Sequence, residues 1–203
     1  MTQASHELEI VYRISQALAH HHDVNALLQE VLDVLETELG MYRGTLSLFN
    51  SDTEELIIAA SKGLTPAEFD RGTYKLGEGV TGKVAKSGKP AIIPDISADP
   101  DFLDRTQARK GEGPIAFLCV PIMRHEQLMG TMSIDRPSAP MKELETDMAL
   151  LKILANILAE AVANIQEQMQ EKESLMAENR KLKQELGEQY RPSNIIEIGR
   201  AHV

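Results

Sequence analysis

Ile115-Ala116-Phe117-Leu118-Cys119-Val120-Pro121-Ile122 is the most strand-like run in this chain, and the residues after it decide the fold. Arg124-His125-Glu126-Gln127 turns the backbone, and Leu128 to Asp135 returns as a second strand, so the pair reads as a hairpin. A second hairpin lies upstream. Thr45-Leu46-Ser47-Leu48-Phe49 alternates, Asn50-Ser51-Asp52-Thr53-Glu54 has turn chemistry, and Glu55-Leu56-Ile57-Ile58-Ala59-Ala60 comes back. Paired hairpins make an antiparallel sheet, so the class is α+β rather than a doubly wound parallel sheet. The crossover from 62 to 114 adds short strands at Tyr74-Lys75-Leu76 and Ala91-Ile92-Ile93-Pro94, the Pro placing the latter at a strand end or sheet edge. Short helical turns are expected around Pro66 to Phe69 and around Phe102-Leu103.

Helices flank the sheet. Leu8, Val11, Ile14, Ser15 and Leu18 recur at helical spacing, and the stripe breaks at His20, His21 and His22. Asp23 then caps a second helix with Leu27, Leu28, Val31, Leu32, Val34, Leu35 and Leu39 on its apolar face and Gly40 at its end. Met141 to Gly187 reads as one long helix. Within the strands, period-two alternation separates Leu46, Leu48, Leu128, Met132 and Ile134 from Thr45, Ser47, Phe49, Thr131, Ser133 and Asp135. The aliphatic face is expected against the terminal helices. The mixed face is expected beneath the long crossover, which is how a small-ligand pocket is built.

Composition narrows the function. The chain has 203 residues, 42% hydrophobic and 26% charged, enough for one domain with a real core plus an extension. No run of eighteen apolar residues predicts a membrane span. One cysteine, Cys119, rules out an internal disulfide or a cysteine metal cage and suits a reducing cytoplasm. A net charge of −10 and only 4% aromatic residues, with no Trp, argue against direct nucleic-acid binding by this segment.

Each motif has a plainer reading beside its functional one. Gly77 to Lys83 matches G-x-x-x-x-G-K, but Val84 stands where a Mg²⁺-binding hydroxyl belongs, so the run reads as a tight turn opening a helix, the functional alternative being that the helix N-terminus points its free N–H groups at an anion in the pocket. Cys119 reads as a small buried hydrophobe with no base beside it. Asp95, Asp99, Asp101 and Asp104 fit no EF-hand spacing and read as caps and turns. Arg105 either clamps a ligand carboxylate or phosphate or pairs with Asp101 or Asp104. With no acid–base or nucleophile–base pair, the chain is expected not to be an enzyme and to hold no resident metal or firm cofactor. The expected ligand-lining set is Ser47, Gly79, Thr81, Phe102, Arg105, Cys119 and Ser133.

The long helix carries a heptad seam. Leu151, Leu158, Ile165, Lys172, Asn179 and Leu186 fall at a, and Leu154, Ala161, Gln168, Leu175 and Leu182 at d, over about 50 Å at about 1.5 Å per residue. The first half packs on its own sheet. Beyond Ile165 only the seam is apolar, and an Asn at an a position favours a parallel dimer. The expected homodimer contacts are Leu158, Ile165, Leu175, Asn179, Leu182 and Leu186.

The order of elements, with Gly77-Glu78-Gly79, Thr81-Gly82-Lys83-Val84 and Pro90-Ala91-Ile92-Ile93-Pro94-Asp95, resembles the GAF domains of bacterial regulators. Tyr12-Arg13-Ile14-Ser15, Arg43-Gly44-Thr45-Leu46-Ser47-Leu48, Phe102-Leu103-Asp104-Arg105 and Phe117-Leu118-Cys119-Val120-Pro121-Ile122 resemble the sensory region of NifA-type, sigma-54-dependent nitrogen-fixation activators. Tyr190-Arg191-Pro192-Ser193-Asn194-Ile195-Ile196 is similar to the linker into the ATPase domain of such activators. The resemblance implies a GAF-like sensory domain over 1–165, a coiled-coil signalling linker over 166–190, and the entry to an ATPase domain followed by an appended tail over 191–203. It implies a small-molecule sensor, with 2-oxoglutarate as a possible effector and a regulatory protein as a possible partner. A ligand-free dimerisation module controlled by a partner protein is the alternative. A GAF-fold sulfoxide reductase is a weaker one, because that chemistry needs a resolving as well as a nucleophilic Cys.

Overall fold

A computed structural model describes residues 3–20, 23–109 and 114–189. Local chemistry sets the ends of the elements. Helix α1 (Gln3–His20) precedes α2 (Val24–Leu39), where the Asp23 carboxylate accepts a hydrogen bond from the Ala26 N–H at 2.8 Å. Gly40 closes α2 in the left-handed region at φ 58°, its N–H returning to the Glu36 carbonyl. Strands β1 (Arg43–Asn50) and β2 (Glu55–Lys62) form the first hairpin. The crossover carries α3 (Pro66–Asp70), β3 (Thr73–Lys75), α4 (Gly79–Ser87) and β4 (Ala91–Ile93). Strands β5 (Ile115–Arg124) and β6 (Gln127–Pro137) form the second hairpin, and α5 runs from Met141 to Gln189.

The six strands make one antiparallel sheet in the order β3-β2-β1-β6-β5-β4, with the Pro94-flanked strand at an edge. One face is aliphatic and buries α1, α2 and the first part of α5 through Ile14, Leu28, Leu32, Leu46, Leu118, Met132, Leu151 and Leu154. The described residues fall into two compact units that part after Ile165. The sheet and all helices before α5 belong to the first.

The structure corrects several expectations. The buried stripe of α1 is Ile10, Ile14 and Ala17, while Leu8 is exposed; an i, i+4, i+7 set meets the sheet better than one starting at Leu8. The turn expected at Phe102-Leu103 lies instead at Ile96–Ala98, because the Asp95 carboxylate caps it through the Ser97 N–H and hydroxyl. Leu128 does not join the helix-facing side. A bulge after Ile122 pairs Met123 with Leu128 but Ile122 with Gly130, which inserts Met129 and flips the parity. Met129 therefore joins the helix-side core, and Leu128 packs with Leu56 and Tyr74 on the other face. Leu158, expected at a dimer seam, is fully buried in the domain's own core, where it serves the sheet instead. Leu175, Asn179 and Leu182 are exposed on α5. The side chains of Ile165 and Leu186, and residues 191–203 altogether, lie outside the described residues.

Candidate functional site

The face opposite the helices is built by period-two placement. Register sets Arg43 opposite Asp135, Thr45 opposite Ser133, and Phe117 opposite Asp135, so their side chains share this face. Helix α4 lies over part of it, packing Val80 and Val84 on Phe117 and Cys119. The Thr45 and Ser133 hydroxyls meet at 2.7 Å.

Its centre is a buried carboxylate, Asp135, only 1% exposed. Arg43 donates from Nε to its Oδ2 at 2.8 Å. Arg109, from the loop before β5, donates from Nε to Oδ2 at 2.8 Å and from Nη2 to Oδ1 at 2.9 Å, the planar two-point fit of guanidinium to carboxylate. Arg109 also donates from Nη1 to Asp104 Oδ1 at 2.8 Å and to Thr106 Oγ1 at 3.3 Å. Its guanidinium lies 5.0 Å from the Phe102 ring centre and 5.7 Å from that of Phe117, two rings that meet edge to face. Arg71 holds the same loop from outside by donating twice to the Thr106 carbonyl.

This enclosure sets the electrostatics. Burial works against the charge on Arg109, but Asp135 outweighs it and raises the pKa further. Burial also opposes the Asp104 anion, yet the Arg109 charge and hydrogen bond prevail and hold that carboxylate below its usual range. Burial pushes the Tyr74 hydroxyl up to about 12 against the pull of Arg109, and pushes the Cys119 thiol up as well. Both stay protonated at neutral pH, so Cys119 is no ready nucleophile. What the arrangement offers chemically is charge and hydrogen bonding.

Arg43, Thr45, Tyr74, Thr81, Arg109, Ser133 and Asp135 are among the walls of a cavity with room for about one water molecule. Of the residues expected from sequence, Thr81 and Ser133 reach it. Ser47 and Cys119 are buried on the same face, and Phe102 supports Arg109. Gly79 is closed off by Leu103: a Cβ there would meet the Leu103 Cβ at 2.9 Å. Arg105 does not turn inward and pairs with Glu78, not with Asp101 or Asp104. Asp99 and Asp104 serve turns, accepting from the N–H groups of Asp101 and Gln107, and Asp101 pairs with Lys83. No group of side chains able to hold a metal occurs among the described residues. Sequence reasoning missed Arg109, Arg43 and Tyr74. A usable signal was Asp135 itself, since a carboxylate alternating onto a covered face demands a buried cation.

A single antiparallel sheet with long helices on one face and a crossover closing a polar pocket on the other defines the class: an α+β domain with one helix-covered face and one loop-covered polar face. The GAF domain family matches residues 23–162, and the chain belongs to it. It is 40% identical over 190 residues to the nitrogen fixation protein AnfA of Azotobacter vinelandii, covering 93% of this chain and 36% of that protein. It is 33% identical over 198 residues to the Nif-specific regulatory protein of Herbaspirillum seropedicae, covering 96% and 36%. The chain thus spans about a third of the length of these curated relatives. Among solved structures, the A. aeolicus Nlh2 GAF domain in an inactive state superposes with a TM-score of 0.70 at 26% identity, covering 79% of this chain and 97% of that one. The free methionine-R-sulfoxide reductase of Neisseria meningitidis reaches 0.70 at 22% identity over 83% and 95%, a likeness of fold alone. No described helix is long and apolar enough to cross a membrane.

Proposed function

We propose that this chain is the small-molecule-sensing regulatory domain of a sigma-54-dependent, NifA-like activator of nitrogen-fixation genes, acting in the cytoplasm. It is a regulator and not an enzyme. The observation that carries this reading is the match, across 93–96% of the chain, to a nitrogen fixation protein and to a Nif-specific regulatory protein. The ligand binds between the mixed sheet face and the crossover, with Thr81 and Ser133 among the walls and Phe102 behind them. Ser47, Gly79, Arg105 and Cys119 then support the pocket from behind or from its rim. Two copies pair through α5 as a parallel coiled coil, and the coil passes the ligand's effect to a downstream ATPase. This segment itself does not contact nucleic acid.

One observation favours a second reading. The cavity holds about one water, so a larger ligand must displace part of its lining to enter. A ligand-free dimerisation module controlled by a regulatory protein needs no such movement. Isothermal titration with 2-oxoglutarate and nucleotides, with native mass spectrometry of the chain as purified, separates the two. Saturable binding of one equivalent per chain, or a retained small molecule, is expected. A protein that leaves cells bare and gives no binding heat with any of these belongs to the second reading.

A further inference from the structure

Arg109 touches two carboxylates of unequal standing. Asp135 is 1% exposed, shared with Arg43, and fixed within β6. Separating it from Arg109 leaves buried charges uncompensated, at a cost of about 3–5 kcal/mol. Asp104 is different. Its side chain is 28% exposed at the rim, and its other contacts are local, from the Thr106 hydroxyl and the backbone N–H groups of Gln107 and Arg109. Water can solvate it once it leaves. The loop wound around it also holds Gln107 at φ 57°, in the left-handed region that a non-glycine residue enters at a cost of about 1–2 kcal/mol. Unwinding that turn relieves the strain, so the Asp104 contact is the one built to open.

We infer that Asp104 is an internal stand-in for the carboxylate of a small-molecule ligand, and that Arg109 is the side chain that reads that carboxylate. The assignment rests on the reading of this pocket as a ligand site. With Asp104 withdrawn, Nη1 of Arg109 loses its charged acceptor while Nε and Nη2 stay on Asp135. The acceptor that Nη1 loses is a single planar carboxylate, and a ligand carboxylate reproduces its shape and charge where a tetrahedral dianionic phosphate does not. The guanidinium already sits 5.0 Å from the Phe102 ring centre and 5.7 Å from that of Phe117, and is hydrogen-bonded to Asp135, so the ligand meets an ordered donor and not a mobile chain. Entry of the carboxylate and exit of Asp104 are one exchange, which couples occupancy to the conformation of the 104–109 loop.

The test uses the whole chain and three probes, acetate, succinate and inorganic phosphate, followed by NMR of the Arg109 Nε–H resonance. Asp104→Asn removes the competing charge, so acetate and succinate are expected to bind about ten-fold tighter or better than to the unaltered chain, because the cost of displacing the plug is gone. Phosphate should gain less. Asp104→Ser should behave alike, with melting curves showing that both variants are folded. Arg109→Lys should abolish the gain when combined with Asp104→Asn. Equal carboxylate affinity with and without Asp104, or no binding to either folded variant, overturns the assignment even if Arg109→Lys does not fold. A pocket ligand found by titration or mass spectrometry whose affinity ignores Asp104→Asn overturns it too, and leaves the pocket standing as a sensory site.

Discussion

Asp135 meets two guanidinium groups while almost wholly withdrawn from water, and that sets the sensitivity of the whole site. Asp135→Asn leaves Arg43 and Arg109 facing a neutral amide, so a loss of about 3–5 kcal/mol is expected in urea unfolding. Asp135→Glu, which keeps the charge but overfills the space, should lose less. Asp104 gives a second expectation, this time in pH. Its pKa is lower folded than unfolded, so its contribution is present above the unfolded value near about 3.9 and lost as pH falls through the folded one. Stability of the unaltered chain should therefore drop on acidification below about pH 4, and the drop should be shallower in Asp104→Asn. If both proteins lose stability in parallel, the Asp104–Arg109 contact contributes nothing. The site was half legible in the sequence for a related reason. Thr81, Ser133 and Asp135 sit on elements whose period assigns a face. Arg109 sits in a loop without period, and only the folded register shows that it, and not Arg105, reaches inward.

At the scale of elements, both hairpins, the caps at Asp23 and Gly40 and the edge position of β4 were readable, because turn chemistry and alternation are local signals. The bulges were not. Whether Ala59 or Met129 is the extra residue depends on the partner strand, which no single strand's pattern contains. The heptad seam of α5 misleads in a similar way. Leu151 and Leu154 pack on the sheet as expected of the first half, but Leu158, expected at the dimer seam, is used by the sheet too, because any helix face with the right apolar width satisfies either partner. One backbone approach gives a sharp test of the strand order. A Cβ on Gly130 would lie 2.0 Å from the Ser47 carbonyl oxygen, inside the pairing of β1 with β6. Backbone cannot yield as a side-chain tip can, so Gly130→Ala is expected to cost at least the upper end of about 1–3 kcal/mol, with a lowered melting temperature. Gly88, where an added Cβ meets nothing within 4 Å, controls for glycine loss as such, though its φ of 64° makes Gly88→Ala cost about 1 kcal/mol. Equal losses at the two positions would contradict the packing of β1 on β6.

For the molecule as a whole, the question is how a filled pocket in the first unit reaches anything beyond it. Helix α5 is continuous from Met141 to Gln189, so it belongs to both units. In the first unit most of its apolar residues are spent on the core, with Met141 and Ile153 left exposed. In the second, Leu175 and Leu182 stand more than half exposed, seven residues apart, with exposed Asn179 between them. Single exposed leucines are ordinary, but a seven-residue repeat with Asn at the intervening a position is the pattern that a parallel two-stranded coil buries. We expect a parallel homodimer through residues 165–186, with Asn179 facing its counterpart. The chain cut after Ile165 should stay folded, since its core lies before that point, and should sediment as a monomer or a much weaker dimer. Asn179→Leu should raise the melting temperature of the coil while relaxing its preference for the parallel pair, because the buried amide trades stability for register. In a full-length regulator the same change should blunt the response to the signal without abolishing output, because a firmer seam resists the shift that the ligand's binding energy must drive. A monomer at concentrations of about tens of micromolar, or antiparallel α5 helices in a crystal, would remove this route, and the signal would then have to leave through another surface of the sensory unit.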